Sequence, residues 1–144
     1  MNPIDLLFGF KGRINRAKYW LVVLIWCIVW AAVAVTMIMS GASTAAAAVA
    51  LIVLISTVVS GLAIGLKRLH DRNKSGWSLL LFYLVPLVVV TWANLIDAGM
   101  FQSVLSLLGF LFLIWAFVEL GCRRGSIGGN PYGPDPVAPK PAKH

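Results

Sequence analysis

The twelve Lys and Arg residues of this chain fall into three short clusters, and the sequence between them is nearly free of charge. The clusters are Lys11, Arg13, Arg16 and Lys18; Lys67, Arg68, Arg72 and Lys74; and Arg123, Arg124, Lys140 and Lys143. No charged side chain occurs in residues 19–66, and only Asp97 and Glu119 interrupt residues 75–122. A helix needs about 20 apolar residues to cross a hydrocarbon core of ~30 Å, so each interval has room for two crossings. Two crossings return the chain to the side it left, which puts all three clusters on one side of a bilayer. The local excess of Lys and Arg predicts that side to be the cytoplasm. The expected fold is an all-α polytopic membrane domain over residues 1–136. It has four transmembrane helices in two hairpins with both termini cytoplasmic, and residues 137–144 are expected to form a flexible tail.

Composition supports this class. With 60% hydrophobic residues and a mean hydropathy of +0.88, the chain has too little polar surface for a soluble domain. The net charge of +7 is confined to membrane-flanking segments, so nucleic acid is not an expected partner. The N-terminal apolar run is about 20 residues, longer than the ~7–15 of a signal-peptide core, and is expected to stay as a span. Cys27 and Cys122 have no ligand spacing and read as packing residues rather than a disulfide. His70 and His144 are the only histidines. No zinc ligand set, phosphate-binding glycine loop or catalytic constellation is present in the sequence, so neither a metal nor a cofactor is expected.

The spans read as Tyr19–Met39, about residues 45–66, about 77–96 and about 100–120. Ahead of the first, Asn2 and Pro3 fit a helix start and predict a brief interfacial helix or turn that ends near Gly9 or Gly12. Gly61 and Gly65 form a GxxxG pattern, which lets two backbones approach closely, either inside this chain or across a homodimer face. Pro86 lies mid-span and predicts a kink. Glu119 precedes Arg123 by four residues, the favourable order for a helix ion pair. The spans carry no ionisable residue at mid-depth, which argues against an ion-coupled transporter.

The segment between the two hairpins reads Leu66-Lys67-Arg68-Leu69-His70-Asp71-Arg72-Asn73-Lys74-Ser75-Gly76-Trp77. If the second helix continues to Asp71, Lys67 and Asp71 pair at i, i+4 and Arg68 and Arg72 share another face. Ser75 is a good N-cap for the third span, and basic side chains around its N–H groups could hold a lipid phosphate. Basic loops also set membrane orientation without binding anything. The Asp and His among these bases, and Asn130, Tyr132, Gly133, Asp135 and Pro136 in the tail, are more specific than orientation requires.

Three stretches in order, GRINRAKYW, LKRLHDRNKSGWSLL and GGNPYGPDP, resemble the bacterial inner-membrane family catalogued as domain of unknown function eight-oh-five. The resemblance covers about Phe8 to Pro136. It implies a four-span inner-membrane protein with these motifs on the cytoplasmic face, and it brings no established activity. Lys67 stands where the family often has Arg, which weakens any planar phosphate recognition there. From the charges and aromatics themselves, a non-enzymatic membrane protein is expected, with the three segments folded into one cap. Arg13, Arg16 and Arg68 supply charge, and Asp71 and Asp135 orient the guanidinium groups. Trp20, Tyr132 and Trp77 anchor the cap at headgroup level, and His70, Ser75 and Asn130 complete the candidate set. The expected ligands are anionic lipid headgroups or a protein partner, in an envelope-related role. The alternative is an oligomeric transporter or channel subunit, in which Gly61, Gly65 and Pro86 serve packing and gating. An enzyme with His70 and Asp71 as acid and base is disfavoured, because adjacent helical residues point about 100° apart.

Overall fold

The computed structural model describes residues 2–41, 43–95 and 99–138. The outer turn around Asp97, and the tail beyond residue 138 with Lys140, Lys143 and His144, lie outside the described residues. The named elements among the described residues are all helices, and four of them are long and apolar enough to cross a membrane.

Helix α1, Pro3–Phe8, begins as its sequence predicts: the Asn2 side chain accepts from the Ile4 N–H (3.1 Å) and Pro3 occupies the first turn. Helix α2 spans Arg16–Met39, three residues more than expected at its start, because Asn15 caps it by accepting from the Lys18 N–H (3.0 Å). Helix α3 spans Thr44–Asp71 and runs five residues past the apolar stretch. Helix α4 spans Ser78–Leu95 and runs through Pro86. Helix α5 spans Met100–Ala116 and continues as a wide π-helical turn over Phe117–Cys122.

Ser75 does not serve as the side-chain cap of α4. The helix opens instead on a tight ladder in which the carbonyls of Ser75, Gly76 and Trp77 accept from the N–H groups of Ser78, Leu79 and Leu80 (3.3, 2.9 and 3.1 Å). These backbone bonds meet the orphan donors of the first turn, which leaves Ser75 exposed.

Polar groups and small residues join the helices where hydrophobicity cannot. Trp26 Nε1 on α2 donates to Ser60 Oγ on α3 (3.0 Å), and Trp30 Nε1 donates to Thr57 Oγ1 (3.1 Å). Gly61 and Gly65 face α4 of the same chain, where a Cβ on Gly65 would stand 2.7 Å from Leu79 Cδ1. Tyr83 Oη closes this contact by donating to the Gly61 carbonyl (3.3 Å).

Two clusters of buried apolar residues lie toward one end of the bundle. One cluster joins Leu69, Leu79, Phe82 and Leu120; a second joins Ile14, Val22 and Ile64, with Leu6 and Leu7 of α1 packed on it. Much of the remaining helix surface is exposed Leu, Ile, Val and Phe, the surface a lipid-embedded bundle presents.

Candidate functional site

All three motif segments meet at that same end, although residues 113–120 apart in sequence make the contacts. Asp71, the last residue of α3, is 2% exposed. Its Oδ1 accepts from Arg13 Nε at 3.1 Å, and its Oδ2 accepts from Arg68 Nη1 at 2.5 Å. Arg13 also donates to the carbonyls of Ser126 (2.7 Å), Gly128 (2.7 Å) and Gly133 (3.2 Å). One guanidinium group thus ties the first segment to the second and to the tail. The tail packs directly on this knot: a Cβ on Gly125 would come within 2.0 Å of Asp71 Oδ2.

The expected pairing of Lys67 with Asp71 does not occur. Lys67 turns to α1, where its Nζ donates to the carbonyls of Asp5 (2.6 Å) and Leu6 (2.7 Å). A cation at the carbonyls of a helix C-terminus is favourable, and here it docks α1 against α3, sharing the Asp5 carbonyl with the Gly9 N–H (3.1 Å). Arg68, one residue on, takes Asp71 at i, i+3.

The end of α5 repeats this chemistry on a larger scale. Arg68 Nε donates to the Leu120 carbonyl (2.7 Å) and Trp20 Nε1 to that of Gly121 (3.0 Å). Arg16 Nη1 donates to the Cys122 carbonyl (3.0 Å), and Arg68 Nη2 to that of Arg123. Four successive carbonyls, left open where the wide turn ends, are therefore met by side chains from α2 and α3.

A second buried carboxylate stands beside this knot. Glu119 is 1% exposed and contacts Lys74 (2.6 Å), Arg123 (3.0 Å) and Arg72 (3.4 Å). The pair with Arg123 is the one its spacing predicts. Lys74 and Arg72 are not accessible to local spacing, and Glu119 was absent from the candidate set. The available signal was topological: it is the one acid at the end of a span that returns to the side holding the basic connecting segment.

Other candidates take different places from those expected. Asp135 orients no guanidinium group among the described residues; its carboxylate accepts from the N–H groups of Gly128 (3.1 Å) and Val137 (2.9 Å). The Val137 and Gly128 bonds hold its carboxyl below the usual aspartate range. These bonds close the tail loop, which is why the carboxylate is not free for arginine. His70 faces the Gly12 carbonyl (3.3 Å) and stacks on Tyr132, with ring centroids 4.0 Å apart and planes 5° apart. Tyr132 is therefore part of the cap's packing. Asn130 donates to the His70 carbonyl (2.9 Å) and accepts from the Tyr132 N–H (2.9 Å). Trp77 is 78% exposed and, like Ser75, stays outside the knot.

The cap's cations therefore divide by availability. Arg13, Lys67 and Arg68 are buried and held internally, and Arg72, Lys74 and Arg123 surround Glu119. Arg16 and Arg124 are exposed and line a polar pocket of about 230 Å³ with Asn15, Ser126 and Asp135. Arg124 makes no ion pair among the described residues.

Four apolar helices closed at one end by a buried ion-pair knot define a small polytopic membrane protein. The chain belongs to the family described as "Protein of unknown function (DUF805)", which matches residues 7–134 and so takes in Arg13, Asp71 and Gly133 together. It is 33% identical over 131 residues to the uncharacterized protein YiiR of Escherichia coli (strain K12), covering 90% of this chain and 86% of that one. It is 33% identical over 129 residues to the inner membrane protein YhaI of the same strain, covering 89% and 86%. Inner membrane protein YhaH of that strain is 28% identical over 135 residues, covering 89% and 87%. No solved structure matches. The protein is a multi-pass inner-membrane protein whose helices contact the lipid bilayer.

Proposed function

We propose that this protein is a non-enzymatic membrane component that binds anionic lipid headgroups on a cytoplasmic cap, in a role in envelope upkeep. The basic clusters support a cytoplasmic position for the cap and both termini through the positive-inside rule. The carrying observation is the division of the cations. The knot holds its own buried arginines on one shared carboxylate and on backbone carbonyls, while Arg16 and Arg124 remain exposed around a pocket at the bundle's end. Basic side chains at headgroup depth attract an anionic leaflet by roughly 1 kcal/mol each.

His70 and Asp71 do not form an acid–base pair. His70 is stacked on Tyr132, and Asp71 lies between two arginines. The geometry also gives the transporter reading little, since Gly61 and Gly65 are filled by Leu79 and Tyr83 of the same chain. The test is the lipid content of protein extracted gently from its own membrane, measured by native mass spectrometry at low and high salt. Enrichment of anionic over zwitterionic lipid relative to the parent membrane, weakening with salt, is expected. Lipid proportions equal to those of the membrane contradict the proposal.

A further inference from the structure

We infer that the protein holds one anionic glycerophospholipid at a defined place. An acyl chain lies in the groove between α2 and the α4–α5 hairpin, and the phosphate lies against Arg16 and Arg124. This rests on the lipid-binding reading above and names the ligand and its site.

Three hollows neighbour one another through shared lining residues. The first is an apolar groove of about 540 Å³ walled by Trp20, Val23, Pro86, Val90, Leu113 and Phe117. The second is a recess of about 470 Å³ that shares Trp20 with the groove and adds Arg16. The third is the polar pocket of about 230 Å³, which shares Arg16 with the recess and adds Arg124. Each volume falls at or below the scale of ordinary ligand pockets, about 300–1,000 Å³.

Arg16 and Trp20 are four residues apart on α2, so they lie on one face about 6 Å apart along the axis. The Trp20 indole is pinned by the Gly121 carbonyl, which fixes it as the boundary between the apolar and basic parts. The order along the helix is thus apolar groove, indole, guanidinium. A phospholipid presents its parts in the same order: acyl chain, glycerol, phosphate.

Charge complementarity selects the headgroup. Arg16 has one N–H on Cys122 and keeps its other donors, and Arg124 makes no bond among the described residues. Asp135 also lines the pocket and keeps its negative charge while accepting from the Gly128 and Val137 N–H groups, so it offsets one of the two exposed arginines. Arg68 and Asp71 at the pocket floor neutralise each other. The surplus is positive, and guanidinium–phosphate bonds are the strong, charge-assisted kind.

The test is native mass spectrometry of delipidated protein with phosphatidylglycerol, phosphatidylcholine of the same chains, or inorganic phosphate. One discrete phosphatidylglycerol adduct is expected, favoured over phosphatidylcholine by roughly tenfold. Arg16→Gln and Arg124→Gln each lower it by about tenfold. Thr91→Trp, which fills the groove from an exposed position, lowers binding of both lipids. Lys11→Gln removes the same charge at an exposed site off these hollows and leaves the adduct intact. Because Arg16 also caps α5, the Arg124→Gln result stands as the variant free of that contact. Anionic enrichment that survives all three site variants overturns this site and leaves the broader reading standing. No anionic preference in the unaltered protein overturns both. Inorganic phosphate binding as well as the lipid, or Thr91→Trp binding normally, removes the groove from the account.

Discussion

Asp71→Ala removes the carboxylate that holds Arg13 and Arg68 together. Both arginine side chains are nearly sealed from solvent, at 1% and 0% exposure. Removing one partner of a buried ion pair typically costs about 3–5 kcal/mol, because the remaining charge stays buried without compensation. Here two charges lose a partner, yet each keeps backbone acceptors: Ser126, Gly128 and Gly133 for Arg13, Leu120 and Arg123 for Arg68. The expected loss is therefore about 3–5 kcal/mol rather than twice that. Asp71→Asn, which keeps one acceptor and removes the charge, should lose roughly half as much. Equilibrium unfolding in mixed detergent and dodecyl sulfate micelles, followed by tryptophan fluorescence, reads the difference. The substitution makes this end of the bundle more basic, so a mere orientation signal would be unharmed. A loss within about 0.5 kcal/mol, the size of an ordinary surface change, would refute the reasoning.

Glu119→Gln leaves Arg72, Lys74 and Arg123 facing one another without their shared carboxylate; a loss of about 3 kcal/mol is expected in the same assay, partly restored by adding Arg72→Gln. Lys67→Met frees the α1 carbonyls, so hydrogen exchange should rise over residues 3–8; protection equal to that of the unaltered protein would count against the docking. The Asp135 carboxyl is held below its ordinary value of 3.8 by the Val137 and Gly128 N–H bonds. A depressed value stabilises the folded loop above that pH, and the contribution is lost as pH falls through the lower folded value. Protection of the Gly128 and Val137 amides, taken relative to their intrinsic exchange at each pH, should fall below about pH 4, and constant protection there would contradict the assignment.

The spans were legible because lipid imposes a pattern that charge-free length alone reveals. The short N-terminal helix was legible from Asn2 and Pro3, which act within one turn. What sequence spacing could not show is where the buried charges go. Lys67 and Asp71 suit an i, i+4 pair, but the partners that won are the carbonyls of α1 and two arginines brought by the fold. The extension of α3 to Asp71 has the same origin, since its last turn is held by tertiary contacts rather than by apolar text. Asp135 looked like a guanidinium partner because charge is visible in sequence, whereas the two N–H groups that occupy it are not. Glu119 was half legible, with Arg123 local and Lys74 and Arg72 distant.

The central claim is that segments far apart in the chain are clamped through Arg13 and Asp71. A double-mutant cycle on Arg13→Ala and Asp71→Ala, measured by the same unfolding assay, tests it most directly. The account predicts a coupling energy of about 1–3 kcal/mol, with the double variant far less damaged than the sum of the two singles. Additivity within about 0.5 kcal/mol would mean the two residues do not meet and would contradict the cap.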